Sequence, residues 1–572
     1  MYTRDLKEIA NEFNQFFTSV GEKASEDSQS LIDLHNLPRL LPRIPNLHIS
    51  EADKFSFHAV SSSEVEKVVM SFPSDKAPGY DMIPMSVIKD ALPCILPILT
   101  LIVNRSLLSS VFPVAWKKSE VVPLPKDGDH EIANNNRPVS LLPAASKVCE
   151  RIALNQLTSY LNRNNRLTVH QSGNRAMHSC ETLNVFMTDK ALEAMDSKKL
   201  TLLVLLDLSK AFDSLDHDIL LAKLQSLGLN HSALEWFRSY LSERSQYVRI
   251  GSEVSDLKHI AYGVPQGSIL GPALFNIYLN DLPTIPHFGS LESYVDDSKL
   301  YLSFPVKDVS TIVKQINEDL SRIASWCCHN HLLINPDKTK LLVMGTRQML
   351  QKLPNLHITL LGKEIAPVAS ARDLGVQVDA TLSYNEHVTN TTSTCMASLC
   401  QINRIKYLLD SRTLETVIKA LVFSKLYFCS SVWANTSKTN VRKLQKIQNF
   451  AARILTGTRK YDHITPVLKE LKWLSVPATL ALNDAVLTFK CLRGLAPHYL
   501  SSRFYTRASV HGRNTRNKNK LDIPAFHTAA GQRSFLYRAV KCWNTLPDDI
   551  TECKSLQNFK SKAKSHFYTI FT

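Results

Sequence analysis

The chain has 572 residues, of which 44% are hydrophobic and 21% charged, so it is too long for one compact core and too apolar for disorder. Its 67 lysines and arginines exceed its 52 aspartates and glutamates, and the net charge of +15 favours a polyanionic partner, nucleic acid before membrane. Eleven cysteines without paired spacing indicate reduced thiols inside a cell. The N-terminus has no hydrophobic signal core, and we exclude the collagenous, secreted and integral membrane classes.

The N-terminal residues predict a helix followed by an extended segment. In MYTRDLKEIANEFNQFF the apolar side chains recur with the period of an amphipathic helix, whereas the prolines of LPRLLPRIPNLHIS predict a linker or strap. SSSEVEKVVMSF has the serine and glutamate spacing of a capped helix. The apolar run from Ala91 to Val103 contains Pro93 and Pro97 and is too short to cross a membrane, so we predict a buried, interrupted helix there.

The next segments predict strands with polar residues at their ends. WKKSEVVPLPKDGD and RPVSLL are typical of two strands joined by a basic loop, and SKVCERIALNQLTSYL predicts a helix. LTLLVLLDL is an apolar run typical of a strand buried on both faces, and it ends in Asp207. LESYVDDSKLYLSF predicts a hairpin with Asp296 and Asp297 at its turn. Between them, AYGVPQGSILGPALF predicts a tight glycine-rich turn, containing Gln266 and Gly267, that leads into a helix.

The acidic residues at these strand ends are the main candidates for chemistry. A buried strand ends in a carboxylate only for a reason, because an unpaired buried charge is costly. Asp207, Asp296 and Asp297 would repel one another unless cations lay between them, which is the ligand set of a two-metal site for phosphoryl transfer. In the alternative interpretation Asp207 caps the following helix, and the two other residues only form a turn.

The order of the motifs LDLSKAFDSLDH, GVPQGSILGP, YVDD and LLINPDKTKLLVMG resembles the palm of a reverse transcriptase of the non-LTR (LINE-type) retrotransposons. On the N-terminal side, DKAPGYDMIP, NNNRPVSLLPAASKVCERI and HQSGNRAMHSCETL resemble that family's N-terminal extension and fingers. Near the C-terminus, RSFLYRAVKCWNTLPDDI resembles the tail of the CR1, L2 and jockey-like branches. The resemblance implies an α+β right-hand polymerase with fingers, a ferredoxin-like antiparallel palm sheet, a helical thumb and a basic C-terminal extension.

The resemblance also implies a division of the chain into domains. We predict an N-terminal helix and Pro-rich linker (1–60), an N-terminal extension and fingers (61–165), a palm with part of the fingers (166–345), a palm–thumb connection (346–400), a helical thumb (401–500) and a basic C-terminal extension (501–572).

Two basic surfaces are candidates for nucleic-acid binding. The thumb helices carry Arg404, Lys406, Lys419, Arg442, Lys443, Lys446 and Arg453. This face would either follow the phosphate backbone of a template–primer duplex or only keep the helices solvated. Residues 501–520 carry Arg503, Arg507, Arg513, Arg516, Lys518 and Lys520 and no acidic residue, which favours RNA or DNA contact. Phe504 and Tyr505 could stack on bases there.

The resemblance implies a role for each residue of the catalytic motifs. Asp207, Asp296 and Asp297 would be catalytic residues that hold two Mg²⁺ ions, with Mn²⁺ as a substitute. The backbone carbonyl of Leu208 would complete the metal coordination. Lys338, in NPDKTK, would protonate the pyrophosphate leaving group, although a lysine in a turn is also commonly only solvated.

Five further positions would form the implied nucleotide site. Phe212 occupies the family's sugar-gate position and would exclude a 2′-hydroxyl, whereas without the motif it would be an ordinary core residue. Gln266 and Gly267 would border the nucleotide pocket. Arg137 and Lys126 would hold the triphosphate, since cationic side chains suit phosphate oxygens, or they are solvated surface charges.

The implied function is that of an RNA-directed DNA polymerase, which extends the 3′-hydroxyl of a DNA primer, in the family nicked target DNA, with dNTPs on an RNA template. The alternative is a catalytically silent relic or a co-opted RNA-binding protein that retains the fold. An RNA-dependent RNA polymerase is disfavoured by Phe212. The site of action would be the nucleus or the cytoplasm.

Two features depart from the family pattern. Autonomous elements of this kind carry an upstream endonuclease, but Met1 stands almost directly before the polymerase extension. We therefore expect that the chain lacks this domain and is either the polymerase part of a longer open reading frame or a truncated genomic copy. It would then work alone or with a separate endonuclease. In HQSGNRAMHSC, Asn174 replaces the family's usual aromatic residue in a segment that would contact the template.

Overall fold

The computed structural model describes residues 5–40, 49–126, 128–511 and 518–571. The amphipathic N-terminal sequence forms one long helix, α1 (Leu6–His35), which packs against elements of the fingers and the palm. Helix α2 (Ser62–Ser71) begins with the predicted capping box, in which Ser61 and Glu64 satisfy each other's backbone amides. Most of the predicted Pro-rich strap, residues 41–48, lies outside the described residues.

The predicted interrupted helix is a continuous one, α3 (Met85–Leu108), and it is not fully buried. Pro93 and Pro97 both lie on its exposed face, where water can bind the carbonyls that lose their helical donors. On the same side Ile98 and Leu101 are 61% and 66% exposed. At 24 residues α3 is long and apolar enough to cross a membrane, so the prediction of a segment too short to do so was wrong. One such helix is weak evidence for a membrane span, because core helices of soluble proteins pass the same test.

The fingers contain a mixed sheet. After α3 come β1 (Lys118–Pro125), β2 (Asn136–Leu141), α4 (Ala144–Arg163), α5 (Cys180–Asp196), β3 (Leu200–Leu206), β4 (Leu208–Ser209), α6 (His217–Ser226), α7 (His231–Leu241), β5 (Arg244–Ile250), β6 (Glu253–Val254) and β7 (Lys258–Ile260). Strands β1 and β2 pair antiparallel, as predicted, and β5 lies parallel to β1 on the other side. Strands β6 and β7 both pair with β5.

The palm sheet has the predicted ferredoxin-like topology. Its remaining elements are α8 (Gly271–Tyr278), β8 (Ser290–Tyr294), β9 (Asp297–Phe304), α9 (Val309–His329), β10 (Leu333–Ile334) and β11 (Lys340–Met344). The strand order is β11-β3-β9-β8 with every neighbour antiparallel. Leu202 and Val204 of β3 enter one hydrophobic core and Leu203 enters another, so β3 is buried on both faces as its sequence predicts.

The C-terminal half is mainly helical, as the pattern after residue 346 predicts. Its elements are α10 (Arg347–Leu350), β12 (Thr359–Leu360), β13 (Lys363–Glu364), β14 (Ser370–Asp373), β15 (Val376–Asp379), α11 (Asn385–Ile405), α12 (Ser411–Ile418), α13 (Ser424–Leu426), α14 (Ser430–Trp433), α15 (Lys438–Thr456), α16 (Ile464–Glu470), α17 (Val476–Leu492), α18 (His498–Ser501), α19 (Arg507–His511), α20 (Phe535–Thr545), α21 (Asp548–Thr551) and α22 (Leu556–Phe571). Helices α17, α20 and α22 share a separate apolar core. All eleven cysteines are free thiols.

The basic segment 501–520 was predicted to contact nucleic acid, but some of its side chains pack against the protein instead. The Arg503 guanidinium forms ion pairs with Asp189, at 3.1 Å, and with Glu193, so it holds the C-terminal region against α5 and does not face solvent. The predicted nucleic-acid role of Arg503 was therefore wrong. Phe504 is partly buried and packs edge-on against Phe535, and its stacking on a base stays a prediction. Arg513 and Arg516 lie outside the described residues.

Candidate active site

Three carboxylates come together at one end of the palm sheet. Asp207 directly follows β3, and Asp296 and Asp297 form the end of the β8–β9 hairpin. Because β3 and β9 are neighbours, with Leu206 opposite Ser298, the end of β3 lies beside the hairpin turn. The sheet therefore places the three predicted catalytic carboxylates at one edge.

The electrostatics of this edge disfavour three bare negative charges. Desolvation by the surrounding protein raises the pKa of Asp297 to about 6, and the charges of Asp296 and Asp207 add to this increase. The pKa values of Asp296 and Asp207 are also raised, chiefly by desolvation. Asp296 and Asp297 nevertheless remain accessible to solvent. A cation bound between these carboxylates would relieve their repulsion.

The donor chemistry of this edge suits a hard divalent cation. Carboxylate oxygens are the ligands that Mg²⁺ prefers. The charge of a neighbouring carboxylate raises the pKa of Asp296 and that of Asp297. Within the described ranges, however, no three His, Cys, Asp or Glu side chains are close enough together to hold a metal ion. Leu208 begins β4 and lies opposite Ile334. The metal roles of these residues, including that of the Leu208 carbonyl, stay predictions.

The three predicted cationic residues face the same edge. The Lys338 Nζ atom lies 4.0 Å from Asp207 Oδ2. Arg137 lies in β2, and its charge opposes the raised pKa of Asp296. Burial lowers the pKa of Lys126, and the nearby charges of Arg137 and Lys338 lower it further. The fold therefore surrounds the carboxylates with positive charge from the fingers and from the turn before β11.

Phe212 is held rigidly beside the glycine-rich turn. Its ring stacks on the ring of Phe275 in α8, with centroids 4.3 Å apart and an interplanar angle of 15°. Its carbonyl accepts a hydrogen bond from the Val264 amide at 3.0 Å. The ring is partly buried, so it is neither a mobile surface group nor a fully enclosed core residue.

The glycine-rich turn docks on strand β2. The Ser140 amide donates to the Gln266 carbonyl at 2.7 Å. Gly267 has a φ of +134°, and a Cβ atom there would lie 2.4 Å from the Ser140 oxygen. Glycine is therefore required at this position by conformation and by space. The contact brings Gln266 and Gly267 beside the strand that carries Arg137.

The carboxylate hairpin has a strained turn. Val295 has a φ of +60°, which a β-branched residue rarely adopts. Gln171 binds this residue at both backbone groups: its Oε1 accepts from the Val295 amide at 2.9 Å and its Nε2 donates to the Val295 carbonyl at 3.2 Å. Asn174, in the same segment, has a φ of +53°, a conformation that asparagine tolerates better than an aromatic residue.

Sequence reasoning missed several residues that support the site. In α1, a Cβ atom on Gly21 would lie 2.2 Å from Tyr262 Cβ and 2.9 Å from the Asp213 carbonyl oxygen, so this helix touches two of the motifs that predict the site. Lys210 Nζ lies 4.1 Å from the centroid of the Phe16 ring. Asp213 and Lys210 belong to the motif that contains Asp207, but nothing in its residue pattern indicates which neighbours they face.

The thumb also offers a basic surface. A groove of about 550 Å³ between α11 and α15 is lined by Lys406, Lys446, Arg453 and Lys460, and no carboxylate is among its described lining residues. Lys419, which the sequence places on the same basic face, is instead paired with Glu415 at 2.6 Å.

A ferredoxin-like palm with three carboxylates at its hairpin edge, covered by basic fingers, defines the class of template-directed nucleic-acid polymerases. Residues 124–378 match the family described as reverse transcriptase (RNA-dependent DNA polymerase). This match places a reverse transcriptase domain in the chain, and the resemblance to the enzymes of LINE-type elements is confirmed.

Three similar proteins from Drosophila melanogaster illustrate this resemblance. The chain is 29% identical to the "Probable RNA-directed DNA polymerase from transposon BS", over 74% of this chain and 47% of the relative. It is 27% identical to the "RNA-directed DNA polymerase from mobile element jockey", over 72% and 46%. It is 29% identical to the "Probable RNA-directed DNA polymerase from transposon X-element", over 72% and 46%. The chain thus spans about half the length of the curated relatives that it matches.

Proposed function

We propose that the chain is an RNA-directed DNA polymerase that extends a primer 3′-hydroxyl with dNTPs on an RNA template. The observation that carries this proposal is the position of Asp207, Asp296 and Asp297 at the same end of neighbouring palm strands, within the segment that matches the reverse transcriptase family. The names of the relatives describe the same activity for those proteins.

The proposed cofactor is a pair of Mg²⁺ ions held by Asp207, Asp296 and Asp297, with Mn²⁺ able to replace them. When bound, the ions would activate the attacking hydroxyl and neutralise charge on the phosphate. Two observations support this assignment. The donors are hard oxygens, and desolvation raises the pKa of all three carboxyls, with neighbouring carboxylate charge adding to the increase at Asp296 and Asp297.

The cationic residues would bind and protonate the phosphates. Arg137 and Lys126 would hold the triphosphate of the incoming nucleotide, since Arg137 affects the pKa of Asp296 and Lys126 lies near Arg137. Lys338, 4.0 Å from Asp207, would donate a proton to the departing pyrophosphate.

Phe212 would select the sugar. Stacking on Phe275 supports the ring from one side, so a 2′-hydroxyl placed against the ring would clash with it. The Phe212 ring would thereby give the reaction its preference for deoxynucleotides.

The thumb groove would bind the phosphate backbone of the template–primer duplex. Lys406, Lys446, Arg453 and Lys460 supply positive charge there without an opposing carboxylate among the described lining residues. Such binding is independent of sequence and weakens as salt increases.

The test is primer extension by the purified chain on an RNA template of mixed sequence, with a DNA primer, dNTPs and Mg²⁺. Asp207→Asn is the inactive comparison, and Asp218→Asn, whose side chain is 91% exposed, is the matched control. Extension by the unaltered chain and by the control, but not by Asp207→Asn, would support the proposal. Binding of RNA without extension by any of the three would instead support a silent relic or a co-opted RNA-binding protein.

A further inference from the structure

Asp213 and Gln266 form a hydrogen-bonded pair beside the proposed nucleotide pocket. Both carboxylate oxygens of Asp213 accept from Gln266 Nε2, at 2.8 and 2.9 Å. Asp213 directly follows Phe212, the proposed sugar gate, and Gln266 belongs to the glycine-rich turn. The pair therefore joins the two motifs that border the pocket.

The carboxylate determines which way the Gln266 amide faces. An ionised carboxylate accepts hydrogen bonds but donates none, so it binds the NH₂ end of an amide and repels the carbonyl end. Gln266 Oε1 consequently faces away from Asp213. Within the described ranges Gln266 Oε1 accepts no hydrogen bond from the protein. Because this oxygen is also not fully buried, it is open to a ligand.

The backbone at both ends of the pair is fixed. The Ser140 amide binds the Gln266 carbonyl at 2.7 Å, and the Asp213 amide donates to the Lys210 carbonyl at 3.0 Å. With both backbones held, the direction of the Gln266 amide depends on its side-chain torsions, and the two hydrogen bonds to Asp213 restrict these torsions.

We infer that Asp213 is a positioning residue for nucleotide binding: it holds the Gln266 amide so that Oε1 presents a hydrogen-bond acceptor to a donor group of the incoming nucleotide. This inference rests on the proposed function. Asp213 itself acts through Gln266 and need not touch the nucleotide.

A purely electrostatic role for Asp213 has the opposite consequence. The charge of Asp213 lies near Lys126 and Lys210, and Lys126 is a proposed triphosphate ligand. If Asp213 only offset this positive charge, its neutralisation would strengthen triphosphate binding and lower the KM for the nucleotide. If it positions Gln266, the same change raises KM, because an asparagine offers a donor as well as an acceptor and permits the Gln266 amide to turn over.

The experiment is a double-mutant cycle with Asp213→Asn, Gln266→Ala and the combined variant, in which kcat and KM are measured for incorporation of one dNTP on an RNA template. Asp218→Asn, whose side chain is 91% exposed, is the matched control. If Asp213→Asn does not fold, Asp213→Ser, which also lacks the carboxylate, takes its place in the cycle.

The inference predicts that each single variant raises KM by about tenfold, with kcat changed by less than about twofold, and that the combined variant is no worse than Gln266→Ala alone. Additive effects, an unchanged KM or a lowered KM in Asp213→Asn would overturn it while leaving the proposed function intact. If the unaltered chain incorporates no nucleotide, the proposed function fails and this inference fails with it.

Discussion

Gln171 holds Val295 in a backbone conformation that valine does not adopt by itself. The side chain of Gln171 binds both the amide and the carbonyl of Val295, and its Oε1 also accepts from the Gly173 amide at 2.8 Å. A Cβ atom on Gly173 would lie 2.4 Å from the Val295 nitrogen, so this close approach requires glycine. Because Val295 immediately precedes Asp296, the pair fixes the turn that presents the carboxylates.

Replacement of Gln171 by leucine should lower kcat for nucleotide incorporation by roughly ten- to a hundredfold, because the strain at Val295, typically about 1–3 kcal/mol, would relax and displace the turn. RNA binding should be unchanged, since Gln171 is 4% exposed and its amide is committed to the hairpin. Gln225→Leu, at an exposed position, is the control. Loss of RNA affinity with kcat preserved would indicate that Gln171 contacts the template.

Replacement of Asp297 by asparagine should stabilise the metal-free chain at neutral pH. The pKa of Asp297 is about 6 in the folded chain and 3.8 as a free side chain, so folding favours its protonated form. The stability that this group contributes is full below pH 3.8 and is lost as the pH rises through 6. In EDTA, the unfolding temperature should therefore decrease less between pH 5 and pH 7.5 for Asp297→Asn than for the unaltered chain.

Addition of Mg²⁺ at pH 7.5 should raise the unfolding temperature of the unaltered chain, and the increase should be smaller for Asp297→Asn, because a cation that binds only the folded site stabilises it. Asp218→Asn should respond to Mg²⁺ like the unaltered chain. An equal effect of Mg²⁺ on all three proteins would contradict the proposed metal role of Asp297.

Replacement of Phe212 by valine should increase the incorporation of ribonucleotides relative to deoxynucleotides by at least about tenfold, because the ring that would clash with a 2′-hydroxyl is removed. The measurement is the ratio of kcat/KM for dNTP and NTP on the same RNA template. Phe288→Val, at a position that is 41% exposed, serves as the control. An unchanged ratio would leave Phe212 as a packing partner of Phe275 and no more.

Replacement of Gly21 by alanine should destabilise the chain by about 1–3 kcal/mol, although alanine usually favours a helix over glycine. The added methyl group would lie 2.2 Å from Tyr262 Cβ, so α1 must move away from the glycine-rich turn. Polymerase activity should fall with it. Glu22→Ala, at the exposed neighbouring position, is the control and should raise or preserve the unfolding temperature. A higher unfolding temperature for Gly21→Ala would contradict the close approach of α1 to Tyr262.

The sequence predicted the elements whose patterns are local. The apolar run of β3, the capping box of α2 and the two acidic residues at a hairpin turn depend on neighbouring residues, and the structure confirms them. The strand order of the palm followed from the resemblance to a family and not from periodicity. The metal and substrate roles within the site stay predictions.

The contacts that the sequence could not reveal join segments far apart in the chain. Arg503 is basic and follows two serines, which is typical of a solvated loop, yet it pairs with Asp189 more than 300 residues earlier. Likewise, Pro93 and Pro97 predict an interrupted helix from the sequence alone. The helix is continuous because both prolines lie on its exposed face, which the sequence does not reveal. Long-range pairing and the direction of a helix face depend on tertiary packing, which residue spacing does not encode.

The most direct test of the central claim is single-turnover incorporation of one dNTP opposite an RNA template, with Mg²⁺, by the unaltered chain, Asp296→Asn and the control Asp218→Asn. Asp296 lies at the strained turn beside Asp207, and its loss should reduce the rate by at least about a thousandfold while RNA binding and folding are preserved. Asp218→Asn should match the unaltered chain. Equal rates for Asp296→Asn and the unaltered chain would contradict the assignment of the carboxylate edge as the catalytic centre.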